Sequence, residues 1–287
     1  MKKRVKFKML IVGLSMLMFG CESDLPLPSG AFTSRLVVNG LVNNTKPIEI
    51  TVSKTMPLGK VQVIEFPENA DVRISDANGA VWVCSYDLGL KKYVSSIVPQ
   101  AGKEYKVSVK LAGFNDAFAT IRMPDPVSSM PASWKDSTDY DLNGFPVGNI
   151  TVRIDDKPGV TNHYRIGLFY FDAFTAEYKP LEPVSLDADI EENAILADDG
   201  SIVFSDRGFD GKKRDLRFVT PFGYSFQTPK FLVEKEALSE DYYMFFKSLR
   251  DYKEPSSVFT EATPVFSNVQ NGVGICAGSA LARDTIR

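Results

Sequence analysis

Ile48-Glu49-Ile50-Thr51-Val52-Ser53 decides the fold class. Ile48, Ile50 and Val52 fall on one face of an extended chain, and Glu49, Thr51 and Ser53 fall on the other. Period-two alternation is the signature of a strand with one buried and one wet face, the usual state of an antiparallel sheet. The scheme repeats outward on both sides. Leu36 to Val42 precedes it, with a turn at Asn43-Asn44-Thr45. Ala70 to Ser75 follows, then the Asn-Gly turn Asp76-Ala77-Asn78-Gly79 leads into Val81 to Cys84. Tyr105 to Leu111 and Phe118 to Ile121 complete the series. About seven short strands in ~90 residues with frequent turns predict an immunoglobulin-like β-sandwich.

Residues 123–148 change character. Met123-Pro124-Asp125-Pro126 and Pro131 disfavour regular structure, and Asp136 to Gly144 is polar, so a domain boundary is expected here. Beyond it, strands are expected at Ile150–Ile154, Tyr164–Phe171, Ser201–Phe204, Leu216–Thr220, Lys230–Glu234 and Val273–Ala280. Tyr164 to Phe171 is apolar on both faces, which places it centrally in its sheet. Residues 172–200 are long and acidic and read as a surface excursion. One helix stands out near 239–251. Ser239 caps it, Glu240 and Asp241 suit its positive end, Lys247 and Arg250 its negative end, and Pro255 ends it. Tyr242, Phe245, Phe246 and Leu249 make a single apolar stripe. The fold class is therefore mainly β. The organisation expected is an immunoglobulin-like sandwich, of the carboxypeptidase-regulatory kind, at 32–123, a linker at 124–148, and a β-rich domain with one helix at 149–287.

The amino terminus is an address. Residues 1–20 hold five bases and no acid, and Met9 to Gly20 form an apolar run that ends at Cys21. Twelve helical residues span about 18 Å, too short for a ~30 Å bilayer core. Residues 1–20 read as a lipoprotein signal peptide, with the small Gly20 before a Cys21 whose thiol takes diacylglycerol. Two or three acyl chains hold a protein stably on a membrane. Residues 21–31, rich in Pro and Gly, read as a tether, and Glu22 and Asp24 resemble sorting signals to the outer surface. The expected location is the cell outer membrane, lipid-anchored, facing either the surface or the periplasm.

Composition narrows the chemistry. Beyond the signal, 28 bases face 36 acids, a net −8, which argues against nucleic acid as a partner. One histidine, His163, and three cysteines leave little for zinc or thiol chemistry, and no Gly-x-Ser-x-Gly elbow is present. His163 reads as structural, and Cys84 and Cys276 as two buried small hydrophobes in different domains. Asp139-Tyr140-Asp141-Leu142-Asn143-Gly144 matches the first half of a calcium loop, with Asp139, Asp141 and Asn143 as the ligand candidates. Its twelfth position is Ile150 instead of Glu, so the reading is a polar loop with no metal. The acids of the excursion, among them Asp187, Asp189, Asp198 and Asp199, read as solvated surface. No catalytic set and no cofactor are expected.

Several weak motifs in order carry a family resemblance. Leu36-Val37-Val38-Asn39-Gly40, Gly102 to Val107, Ala119 to Pro124, Asp206-Arg207-Gly208-Phe209-Asp210-Gly211-Lys212, Ser239 to Tyr243 and Phe266 to Gly274 together resemble the bacterial envelope lipoproteins of domain of unknown function 4249. The resemblance implies an envelope lipoprotein often encoded near TonB-dependent outer-membrane transporters, with no established activity and no catalytic residues to carry over. The expected partners are the membrane, through acylated Cys21, such a transporter, and a small ligand. The role favoured is non-catalytic binding or transporter accessory, over a lipid-anchored hydrolase using carboxylates or calcium, or a purely structural component.

Overall fold

The computed structural model describes residues 32–57, 63–127, 131–141, 143–183, 186–221, 230–254 and 263–287, without the side chains of Ser137, Asp139 and Asp189. Cys21, the signal, the tether up to residue 31 and Pro255 lie outside the described residues. The protein is mainly β. Eight strands fill the first region: β1 (Leu36–Asn43), β2 (Glu49–Lys54), β3 (Asp71–Asp76), β4 (Val81–Val83), β5 (Ser85–Asp87), β6 (Lys92–Val94), β7 (Glu104–Lys110) and β8 (Ala117–Arg122). Nine follow: β9 (Ser133–Tyr140), β10 (Pro146–Asp155), β11 (His163–Asp172), β12 (Glu177–Pro180), β13 (Ile195–Leu196), β14 (Ile202–Ser205), β15 (Lys213–Thr220), β16 (Phe231–Leu238) and β17 (Cys276–Ile286). A short helix α1 (Ala188–Glu191) precedes β13, and α2 (Glu240–Lys253) follows β16.

One long sheet runs β13-β14-β11-β16-β17-β1-β2-β6-β5, with β12 on β11. Its middle is the pairing of the last strand with the first: β17 lies parallel to β1, Gly40 opposite Cys276, and antiparallel to β16. Two smaller sheets cover it. The sheet β4-β3-β7-β8 faces β1, β2 and β6, and the sheet β15-β10-β9 faces β11, β14 and β16. Each facing pair closes on its own core. Ile48, Ile50 and Val52 meet Val72, Ile74, Val107 and Val109 in the first. Ile150, Val152 and Ile154 meet Ile166, Leu168, Phe231 and Val233 in the second. Alternation is what makes these sandwiches: along β7, Tyr105, Val107 and Val109 are buried between exposed or half-buried neighbours.

Some expectations need correcting. Residues 124–148, expected as a linker, contain β9 and the start of β10, because Ala132 and Trp134 find apolar partners that a local reading cannot supply. The closing strand packs into both cores. Cys276, expected in a different domain from Cys84, shares the first core with it, and both are free and buried. Burial pushes the Cys84 thiol up to about 11 and the Cys276 thiol up to about 12. The acidic excursion 172–200 is tied down. It holds β12, α1 and β13, and buries Ile190 and Ile195. Asp199 pairs with Arg165, and Asp198 pairs with Lys253.

The helix begins as expected: the Ser239 hydroxyl accepts the Tyr242 N–H at 3.4 Å, with Glu240 and Asp241 in the first turn. Of the stripe, Tyr242 alone is fully buried, and Phe245, Phe246 and Leu249 are half-buried. No helix among the described residues is long and apolar enough to cross a membrane.

Candidate functional site

A cleft of about 750 Å³ opens where three elements meet: the exit of β8, the β10–β11 turn, and the end of β16 leading into α2. That volume falls in the ~300–1,000 Å³ range usual for ligand sites. Arg122, Asp125, Lys157, His163, Glu240 and Tyr243 are among its walls. A second depression of about 620 Å³ adjoins it over β7 and β8, and the two share Arg122 and Asp241.

The walls are held by ion pairs and one amide. Arg122 reaches Glu104 at 3.3 Å and Asp241 at 3.4 Å, joining the β7–β8 edge to the first turn of α2. Asp125 pairs with Lys157 across the mouth. Asn268 is the hub behind them. Its side-chain amide donates to Asp241 at 3.0 Å and to the Cys276 carbonyl at 2.8 Å, and its oxygen accepts the Cys276 N–H at 2.9 Å. His163 stacks on Tyr243 with ring centroids 4.1 Å apart, and burial lowers its pKa to about 4. The imidazole is thus neutral at physiological pH, and it faces the cleft.

Below the cleft, the β10–β11 turn and the β14–β15 turn meet. Antiparallel pairing sets Asp155 opposite Lys213, so both turns fall at one end of the β10–β15 pair. Carboxylate oxygens of Asp156, Asp206 and Asp210 lie within 4.8 Å of one another. Three carboxylates are in kind a donor set for a hard cation. Each is already engaged. Asp156 accepts the Tyr164 hydroxyl and the Gly211 N–H, Asp206 accepts the Asn162 N–H at 2.7 Å, and Asp210 accepts the Gly159 N–H at 3.0 Å. Burial and the two neighbouring acids push the Asp206 carboxyl above its ordinary range. The arrangement clamps two turns together.

The calcium-loop residues go elsewhere. Between β9 and β10 the Asp141 carboxylate accepts the N–H groups of Asn143 at 2.9 Å and Phe145 at 2.8 Å. Gly144 sits at φ +79°, a left-handed conformation that suits glycine. The Asp139 side chain lies outside the described residues, and Ile150, at the twelfth loop position, is fully buried in the second core. The polar loop is a hairpin turn inside a sheet, because its ends continue as paired strands.

Sequence reasoning missed Arg122, Asn268 and the Asp156–Asp206–Asp210 group. The stretches containing them were visible as a strand end, a terminal signature and two turns. Their convergence depends on long-range pairing.

Fold and cleft together define a mainly β protein in which two smaller sheets pack on one long sheet, with a cleft of mixed polar and apolar lining beside a capped helix. The chain belongs to the family described as Domain of unknown function (DUF4249), whose model matches residues 22–285. No curated protein matches it.

Proposed function

We propose that this chain is a lipid-anchored lipoprotein of the cell outer membrane that binds without catalysis, as an accessory to a TonB-dependent transporter. The observation that carries the binding role is the state of the cleft. Its opposed charges Arg122–Asp241 and Lys157–Asp125 neutralise one another, and its histidine is stacked and neutral. A general acid or base needs a pKa near working pH and a free proton path. The Asp156, Asp206 and Asp210 carboxylates spend oxygens on backbone N–H groups, which favours binding over the hydrolase reading. The transporter comes from the family resemblance and the anchor from the order of bases, apolar run and Gly20-Cys21. An acyl anchor would confine both partners to one plane and raise their effective concentration, so a modest interface would suffice. Two aromatic tips on hairpin turns, Phe145 and Phe174, are exposed on rigid supports and suit such contact.

The test is affinity purification from detergent-solubilised membranes. The wild-type chain is expected to bring down an outer-membrane barrel, and Phe145→Asp with Phe174→Asp to bring down less. Cys21→Ser should lose metabolic fatty-acid label. No co-purifying barrel, together with unchanged uptake when the gene is removed, overturns the accessory role. Hydrolysis of a glycan or peptide that depends on one of these carboxylates would replace it with the hydrolase.

A further inference from the structure

The end of the long sheet at which residue 34 enters the body is also where exposed aliphatic side chains gather. Strand register fixes the geometry. Leu36 pairs with Lys54, so the start of β1 and the end of β2 are level, and Thr55 donates its N–H to the Arg35 carbonyl. Ile50 pairs with Tyr93, and that antiparallel register carried forward brings the β5–β6 turn, residues 88–91, to the same end. The segment 63–66 folds over it too: Glu65 pairs with Lys54 at 3.1 Å, and the Lys91 ammonium lies 5.8 Å from the Phe66 ring centre. The five exposed aliphatics here are Met56 (40%), Val63 (89%), Ile64 (52%), Leu88 (70%) and Leu90 (52%).

Scattered exposed apolar residues are normal on a soluble body, but a group at one end of one sheet marks a contact surface. Its position says what the contact is. Twelve residues, 22–33, separate Cys21 from Ser34, and at ~3.3–3.6 Å per residue they hold this end within about 45 Å of an acyl anchor. Of the charges among the aliphatics, Lys54 is paired with Glu65, the Lys91 ammonium lies over the Phe66 ring, and Asp87 accepts the Leu90 N–H. The surface combines aliphatics with a few engaged charges, a composition suited to the boundary between headgroups and acyl chains.

We propose that this end of the body, through Met56, Val63, Ile64, Leu88 and Leu90, rests in the lipid surface to which Cys21 anchors the chain. The proposal rests on the acylation of Cys21. Each aliphatic buried adds to the hold of the acyl chains and fixes the tilt of the body, leaving the β11–β12 turn with Phe174 outside the lipid. Phe174 follows Asp172, beyond the far end of β17, where Tyr170 and Ile286 both pair with Phe231.

The experiment uses the full acylated chain reconstituted into phosphatidylcholine vesicles with brominated or ordinary acyl chains. Leu88→Trp and Ile64→Trp report the proposed surface, Phe174→Trp reports the far end, and the wild-type emission of Trp82 and Trp134 is subtracted. Insertion to a depth of ~5–10 Å should remove about half of the added emission at 88 and 64. Emission at 174 should be unchanged, and added phosphatidylglycerol should alter nothing. Two reporter positions guard against one misfolded variant. If mass analysis shows acylated Cys21 but 88 and 64 behave like 174, the surface proposal is overturned and the anchor stands. If Cys21 carries no acyl chain, anchor and surface fall together. If 88 and 64 are shielded from a soluble quencher yet untouched by bromine, and cross-linking yields dimers, a second copy covers this end and the proposal is overturned.

Discussion

A Cβ placed on Gly278 would sit 2.5 Å from the carbonyl oxygen of Arg122 and 2.6 Å from the Met123 sulfur. The closing strand β17 thus crosses β8 with no room for a side chain, and the cleft wall at Arg122 depends on that crossing. Gly278→Ala is expected to destabilise the protein by about 1–3 kcal/mol, the usual cost of overpacking, because the nearest atom is backbone and cannot swing away. Denaturant unfolding measures it. A change within about 0.5 kcal/mol, the range of neutral surface substitutions, would mean the two strands separate freely.

Asn268 joins three elements through its amide: the Asp241 carboxylate on α2, both backbone groups of Cys276 on β17, and, at 3.4 Å, the Thr120 carbonyl on β8. Asn268→Ala leaves the Cys276 N–H without its side-chain acceptor. An unmet buried donor costs about 1–3 kcal/mol. Asn268→Asp keeps the acceptor but loses both donors and faces Asp241, so it should be no better than alanine. Faster amide exchange at Cys276 in both variants is the local readout.

Much of this fold was legible because alternation is local. Ile48-Glu49-Ile50-Thr51-Val52 announces a strand whatever it pairs with, and the Ser239 cap with Glu240 and Asp241 announces a helix start. What was not legible depends on distant partners. Nothing near β17 says that it lies parallel to β1, more than two hundred residues away, so Cys276 was assigned to the wrong core. The short strands β5 and β6 were missed because three residues carry too little pattern. The candidate site suffered most. Arg122, Asp241 and Asn268 are ordinary polar residues until the sheet brings them together.

Helix α2 offers a graded test of burial. Tyr242 is buried against Leu238, Ala277 and Ile275, whereas Phe246, stacked on it with centroids 5.1 Å apart, keeps one side open. Tyr242→Ala should cost about 3–5 kcal/mol, as for a buried large aromatic. Phe246→Ala, at a half-buried ring, should cost distinctly less, roughly 1–3 kcal/mol. Equal losses would indicate that the helix sits deeper than its exposure suggests.

The last expectation concerns acid. Burial lowers the His163 pKa to about 4, against an ordinary value of 6.5. Between those values the unfolded chain carries a proton on this ring that the folded chain does not. Stability from the neutral, stacked ring is therefore complete above pH 6.5 and is lost as pH falls toward 4, with a slope of at most about 1.4 kcal/mol per pH unit. Asp206 works the other way: its carboxyl is pushed up by burial and by Asp156 and Asp210, so acid relieves it. A comparison between variants separates the two. His163→Phe keeps an aromatic ring against Tyr243 but has no proton to gain. The melting temperature of the wild type should fall relative to His163→Phe by roughly a few degrees between pH 7 and pH 4.5. Asp206→Asn should raise the melting temperature at pH 7, and that advantage should shrink in acid. If wild type and His163→Phe keep a constant difference across that range, the ring is not buried in the way its stack on Tyr243 implies.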